Sequence, residues 1–151
     1  MIGRRALIGA SAFASLQGCG GAPPPPSVAL TVKAAGDVNA DASGTPLPVA
    51  VRIFALASSA RFSAADAYSL MDRESAVLGD EGKRVEALSL RPGETKTLTM
   101  VLKPDVRYLG VAALFHDIDR ARWRAVAPIA ASGLTTLVLL VGQKQAVLEA
   151  A

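Results

Sequence analysis

The chain has 151 residues, enough for one ordinary domain and too few for two. It is 51% hydrophobic with a mean hydropathy of +0.35, yet no uncharged apolar run approaches the roughly 18–20 residues of a membrane-spanning helix. Sixteen basic and 13 acidic residues give a net charge of +3, and the cations are spread along the chain, which excludes the clustered footprint of a nucleic-acid binder.

The first element is the pattern of a secretion signal, residues 1–18. Arg4 and Arg5 precede the apolar stretch Ala6 to Leu16, about 11 residues of small and aliphatic side chains. "LQGC" (Leu16 to Cys19) resembles a bacterial lipobox, with Gln17 where a small residue is usual. Cys19 is the sole cysteine, so an intramolecular disulfide is ruled out. A catalytic thiol would need an activating partner and a rigid setting, and "GGAPPPPS" provides neither. Cys19 therefore reads as a lipidation site that carries diacylglycerol and an N-acyl chain, since several chains are needed for stable anchoring. Gly20, rather than aspartate, follows it and points to the outer membrane. "GRRALIG" lacks most of the twin-arginine motif, which favours ordinary secretory export. Cleavage would remove Arg4 and Arg5, leaving 14 basic against 13 acidic residues, a net +1.

Residues 19–27 form the tether, in which Pro23 to Pro26 favour a polyproline II spacer of about 3 Å per residue. Residues 28–151 form the domain. Val28, Leu30 and Val32 alternate with Ala29, Thr31 and Lys33 in a half-buried strand. A loop rich in turn-formers runs from Ala35 to Leu47, and Val49, Val51 and Ile53 mark a second strand. Ser63 and Asp66 have capping-box spacing ahead of a short helix through Met71, with Tyr68, Leu70 and Met71 as its apolar stripe. "DRESAVLGDEGKR" reads as a polar return loop with a tight turn at Glu81-Gly82.

Strands then follow closely. "RVEALSL" ends at "RPGE", a type II turn, and Leu98, Met100 and Leu102 alternate with Thr97, Thr99 and Val101. "YLGVAALF" is apolar on both faces, as in a strand covered on both sides. "RWRAVAP", "LTTLVLLV" and "QAVLEA" complete the set, with Gly142 at the last hairpin. Seven or eight short strands with one short helix predict an all-β fold, an antiparallel β-sandwich.

Residues suited to catalysis are sparse. His116, Asp117 and Asp119 in "FHDIDRARW" would start any enzyme or metal reading, but a turn between strands explains them better. No G-x-S-x-G elbow or glycine-rich phosphate loop is present. Trp123 reads as a core filler. The expectation is a binding or scaffolding protein with no cofactor beyond its lipid, and not an enzyme.

Several segments in order resemble one family: the lipobox, "DVNADASGTPLPVAVRIFAL", "FSAADAYSLMD", "LRPGE" and "YLGVAALFHDIDRARWRAV". The chain is similar to outer-membrane lipoproteins of the type VI secretion system, the TssJ (VasD or SciN) family. Departures are Ala40 for a proline, Ala67-Tyr68 for paired aromatics and Phe115 for tyrosine. The resemblance implies a transthyretin-like sandwich that docks the periplasmic domain of the large inner-membrane subunit, TssM, with no small-molecule substrate. It also implies that the loop after the first strand makes the contact, through Asp37, Asn39, Asp41, Gly44 and Pro46. The length of that loop agrees, because long structureless connections are usually functional or disordered; the plain alternative is a flexible hairpin connection. Substitutions at Asn39 and Asp41 are expected to weaken docking without lowering the melting temperature. Two other readings are a generic transthyretin-like lipoprotein for a small hydrophobic or sugar ligand, and a hydrolase or metalloenzyme centred on His116.

Overall fold

The computed structural model describes residues 21–151; Cys19 and the signal segment lie outside that range. Eight strands form two four-stranded sheets packed face to face. The first sheet has the order β4-β1-β7-β8, formed by β1 (Pro26–Ala34), β4 (Thr95–Val101), β7 (Gly133–Val141) and β8 (Ala146–Ala150). The second has the order β3-β2-β5-β6, formed by β2 (Val49–Leu56), β3 (Gly82–Leu90), β5 (Tyr108–Leu114) and β6 (Arg124–Pro128).

The period-two pattern of the sequence becomes the core. Val28, Leu30, Val32 and Ala34 of β1 pack against Val49, Val51 and Ile53 of β2, Leu109, Val111 and Ala113 of β5, and Leu137, Leu139 and Val141 of β7. Each fully buried aliphatic side chain contributes about 1.5–3 kcal/mol, which fixes which face of these strands turns inward. "RPGE" forms the expected type II turn: Glu94 N–H donates to the Arg91 carbonyl at 3.0 Å, and Gly93 supplies the positive φ of 74°. Gly142 N–H donates to the Gln145 carbonyl at 2.8 Å and closes the β7–β8 hairpin.

Three differences from the sequence reading have physical causes. First, β1 begins at Pro26 rather than Val28, because the Pro26 carbonyl accepts from Leu102 N–H at 2.8 Å. Second, one pairing is not antiparallel: β1 runs parallel to β7 over its whole length, from Pro26↔Gly133 to Ala34↔Val141. Alternation in a strand records its buried face but not its neighbour, so this pairing left no mark on the sequence.

Third, the helical passage is divided and longer. It comprises α1 (Ala60–Ala64), α2 (Ala67–Asp72), α3 (Glu74–Leu78) and a turn of 3-10 helix at Gly79–Glu81. Ser63 lies within α1, and the extended conformation of Ala65 (φ −70°, ψ 144°) separates α1 from α2. The cap is Asp66 alone, whose carboxylate accepts from Ser69 N–H at 2.9 Å. That bond is the first cause holding the Asp66 carboxyl below its ordinary pKa. Residues 74–81, polar enough to resemble a loop, are helical because Val77 and Leu78 turn onto the second sheet. Of the expected stripe, Leu70 is buried with Ala67, Met71 is half-buried, and Tyr68 is exposed, its hydroxyl donating to Asp119 at 3.1 Å.

These helices cover the outer face of the second sheet. Phe54, Leu56 and Ala112 meet Phe62, Leu70 and Leu78 in a second apolar cluster, with the Phe54 and Phe62 rings 5.2 Å apart. The contact requires Gly110: a Cβ there would lie 2.9 Å from a Leu56 methyl and 3.1 Å from the Phe62 ring. This explains why "YLGVAALF" is apolar on both faces. Arg124 ties the layer down by donating to the carbonyls of Phe62 (2.9 Å) and Ala65 while lying 4.5 Å from the centroid of the Trp123 ring. Trp123 packs against both clusters, as a core filler should.

Candidate docking surface

β1 runs from the tether root to the long β1–β2 loop. Its nine residues, at about 3.3 Å each, separate the tether root at Pro26 from the β1–β2 loop by roughly 27 Å. Four connections therefore gather at the end away from the tether: residues 35–48, 91–94, 115–123 and 142–145. Gly93 N–H donates to the Ala35 carbonyl at 3.1 Å, and Ala35 N–H to that of Val141 at 2.9 Å.

The loop of residues 35–48 has no regular secondary structure but is internally closed. Val38 is fully buried in the core cluster, and its carbonyl accepts from Leu47 N–H at 3.1 Å. Asn39 is 5% exposed, the sole buried polar or charged residue among those described, and has a φ of +49°. Its Nδ2 donates to the Pro48 carbonyl at 2.9 Å, and its Oδ1 accepts from His116 N–H at 2.8 Å. Its own N–H donates to the Gly142 carbonyl at 3.3 Å. One residue thus joins three of the four connections, two through its side chain and the third through its backbone N–H. Asn suits this position because its carboxamide satisfies a donor and an acceptor together, and it tolerates the left-handed region better than other side chains.

The burial of Asn39 changes what the sequence led us to expect of it. Its amide is used within the fold, so Asn39 shapes the loop from inside and a substitution there will lower stability. Asp41 organises the tip. Its Oδ1 accepts from Ser43 Oγ at 2.6 Å, Ser43 N–H at 2.9 Å and Thr45 N–H at 3.0 Å. The Ser43 hydroxyl, followed by Thr45 N–H, holds the Asp41 carboxyl below its ordinary pKa. Gly44, with φ +83° and open space where a Cβ would stand, completes the turn, and its N–H donates to the Asp41 carbonyl at 2.9 Å.

Asp37, Gly44 and Pro46 are exposed, and so are Ala42, Ser43 and Thr45, which the sequence reading passed over. Their signal was legible: an aspartate followed by Ser, Gly and Thr is the composition of a side-chain-closed turn. Beside the loop, Lys144 pairs with Asp117 at 3.1 Å, and His116, Arg120 and Arg122 are exposed. His116, Asp117 and Asp119 occupy the turn between β5 and β6, and no group of three metal-ligating side chains occurs among the described residues.

The sequence profile of the type VI secretion lipoproteins (VasD, EvfM, TssJ) matches residues 26–144. The chain belongs to this family. The chain is 31% identical to the type VI secretion lipoprotein TssJ1 from Pseudomonas aeruginosa, whose crystal structure superimposes with a TM-score of 0.79 over 85% of this chain and 98% of that one. It is 28% identical to Lip from Serratia marcescens, a membrane-bound component of the type VI secretion system, with a TM-score of 0.75 over 84% and 98% of the two chains. A chain of the structure described as the TssM C-terminal domain (869–1107) from EAEC is 27% identical, with a TM-score of 0.63 over 83% and 99%. No curated protein sequence matches the chain.

A small-ligand lipoprotein would need an enclosed apolar pocket with a few convergent polar groups. The described residues form an open cleft of about 590 Å³ between the start of β3 and the end of β4. Its lining mixes Val85, Val101 and Leu102 with Asp80, Lys83 and Lys103.

Proposed function

We propose that this chain is the outer-membrane structural subunit of a type VI secretion membrane complex, anchored at Cys19 and docking the periplasmic domain of the inner-membrane subunit TssM. The observation that carries the reading is the placement of the 35–48 loop. It is closed by its own hydrogen bonds, presents exposed residues at its tip, and stands at the opposite end of β1 from the tether. Membership of the type VI lipoprotein family and the likeness to a chain of a TssM C-terminal domain structure support the choice of partner. A subunit that must hold two membranes together needs its anchor and its docking loops at opposite ends, so that binding does not compete with the bilayer for one surface.

In this reading Asp41 and Asn39 hold the loop in its binding shape, and Asp37, Gly44 and Pro46 contribute the outward surface with Ala42 and Thr45. A preformed loop binds more tightly than a mobile one because little ordering entropy remains to be lost. The test has two arms. Cys19→Ala should leave a folded domain that no longer sediments with outer membranes; normal sedimentation would remove the lipid anchor from the proposal. Ala42→Arg and Pro46→Arg should weaken binding to the TssM periplasmic domain by about tenfold or more, as truncation of a central contact does, at unchanged melting temperature. Unchanged affinity in both would move the interface to another surface.

A further inference from the structure

At the tether end, the outer face of the first sheet carries its most exposed apolar side chains. Its outer face is arranged in rows across the strands. Thr95 and Lys33 align with Leu140 and Val147 in the row near the docking loops, and Thr99, Ala29 and Thr136 form a row of small residues further along. The row nearest the tether is Val101, Ser27 and Leu134. Val101 is 72% exposed and Leu134 61%, the two most exposed large hydrophobic side chains among the described residues. Adjacent strands lie about 4.8 Å apart, so these two side chains are about 10 Å apart on one face, with Ser27 between them.

This row lies directly at the root of the tether. Pro26 precedes Ser27, and Gly133 N–H, beside Leu134, donates to the Pro25 carbonyl at 3.3 Å. The connection after β4 adds exposed Lys103, Asp105 and Arg107 at the same end. The Arg107 guanidinium is held there by the Pro104 carbonyl, at 2.6 Å. Six residues separate Cys19 from Pro26. Even fully extended, that segment reaches only about 25 Å.

We propose that the tether end of the sandwich rests on the bilayer itself. Val101 and Leu134 enter the headgroup layer, and Lys103 and Arg107 face lipid phosphates. The proposal rests on the reading of Cys19 as a lipid anchor. Acyl chains inserted within about 25 Å hold this end at the surface, where apolar area on the protein gains by leaving water. Basic side chains beside it add attraction to anionic headgroups, and Asp105 offsets part of that. The seating sets the direction of β1 away from the membrane and aims the 35–48 loop into the periplasm. The tether then acts as a clamp on a defined orientation rather than as a loose leash.

The test uses the full-length, processed lipoprotein with single cysteines at Val101, Leu134 or Thr95, each labelled with an environment-sensitive fluorophore. Thr95 is exposed on the same face at the far end of β4, about 20 Å from Val101, and serves as the internal reference. In vesicles of phosphatidylethanolamine and phosphatidylglycerol, labels at 101 and 134 should shift to the blue and be quenched by spin-labelled lipid, while the label at 95 does neither. Three labels that all behave as in water would overturn the proposal. Equal quenching at 95 would also overturn it, because the sandwich would then lie flat. Shielding of 101 and 134 only after a membrane-protein extract is added would assign the row to a protein partner and refute bilayer seating. Failure of the anchor reading looks different: the parent chain would take up label at an unmodified Cys19 and would not float with vesicles.

Discussion

Replacing Asn39 by alanine removes the side chain that joins the 35–48 loop to the turn between β5 and β6. The carboxamide donates to the Pro48 carbonyl at 2.9 Å and accepts from His116 N–H at 2.8 Å from a site only 5% exposed. Leaving a buried partner unsatisfied costs about 1–3 kcal/mol, and both partners belong to residues exposed to solvent, which places each near the lower end, about 1 kcal/mol. Alanine at φ +49° adds about 1 kcal/mol, because the left-handed region disfavours side chains other than glycine, asparagine and aspartate. The sum is about 3 kcal/mol, equivalent to a fall of roughly 10 °C in melting temperature for a chain of this size. Asn39→Gly should recover the backbone part alone and settle about 1 kcal/mol above the alanine variant. Urea unfolding of the three proteins measures both quantities. An alanine variant within about 0.5 kcal/mol of the parent would refute the role of Asn39 as the staple of the loop.

Other substitutions test the remaining parts of the scaffold. Gly110→Ala should destabilise by about 1–3 kcal/mol, since its methyl group collides with Leu56 and Phe62, and hydrogen exchange should show the loss first in α1 and α2; uniform loss would contradict the overpacking account. Asp66→Ala should cost about 1 kcal/mol through the lost cap on α2, and no change on thermal melting would mean that packing of Leu70 alone holds the helix. Asp41 has a depressed folded pKa, so its contribution is present above the ordinary carboxylate range near 4 and is lost as pH falls through the depressed value. An NMR titration should find Asp41 below that range in the parent and raised towards it by Ser43→Ala; an unmoved midpoint would show that the hydroxyl is not its main partner.

The sequence by itself determined the strands, the turns and the choice of inward residues. These are local properties: alternation records burial on one face, Pro-Gly demands one turn, and a lone cysteine after a short apolar segment leaves few uses for its thiol. It also located the loop. The split helices were partly hidden, because Val77 and Leu78 are helical for the surface they cover and not for their neighbours in the chain. Only the tertiary structure decided that β1 lies parallel to β7, since a strand's pattern is indifferent to the direction of its partner. It also decided that Asn39 points inward to His116, 77 residues away, while Gly44 and Pro46 face solvent. In the sequence, Asn39 and Asp41 are alike, both small polar residues in a polar loop. Burial and hydrogen-bond partners separate the residue that supports the surface from those that form it, and both depend on chain segments that meet only in the folded state.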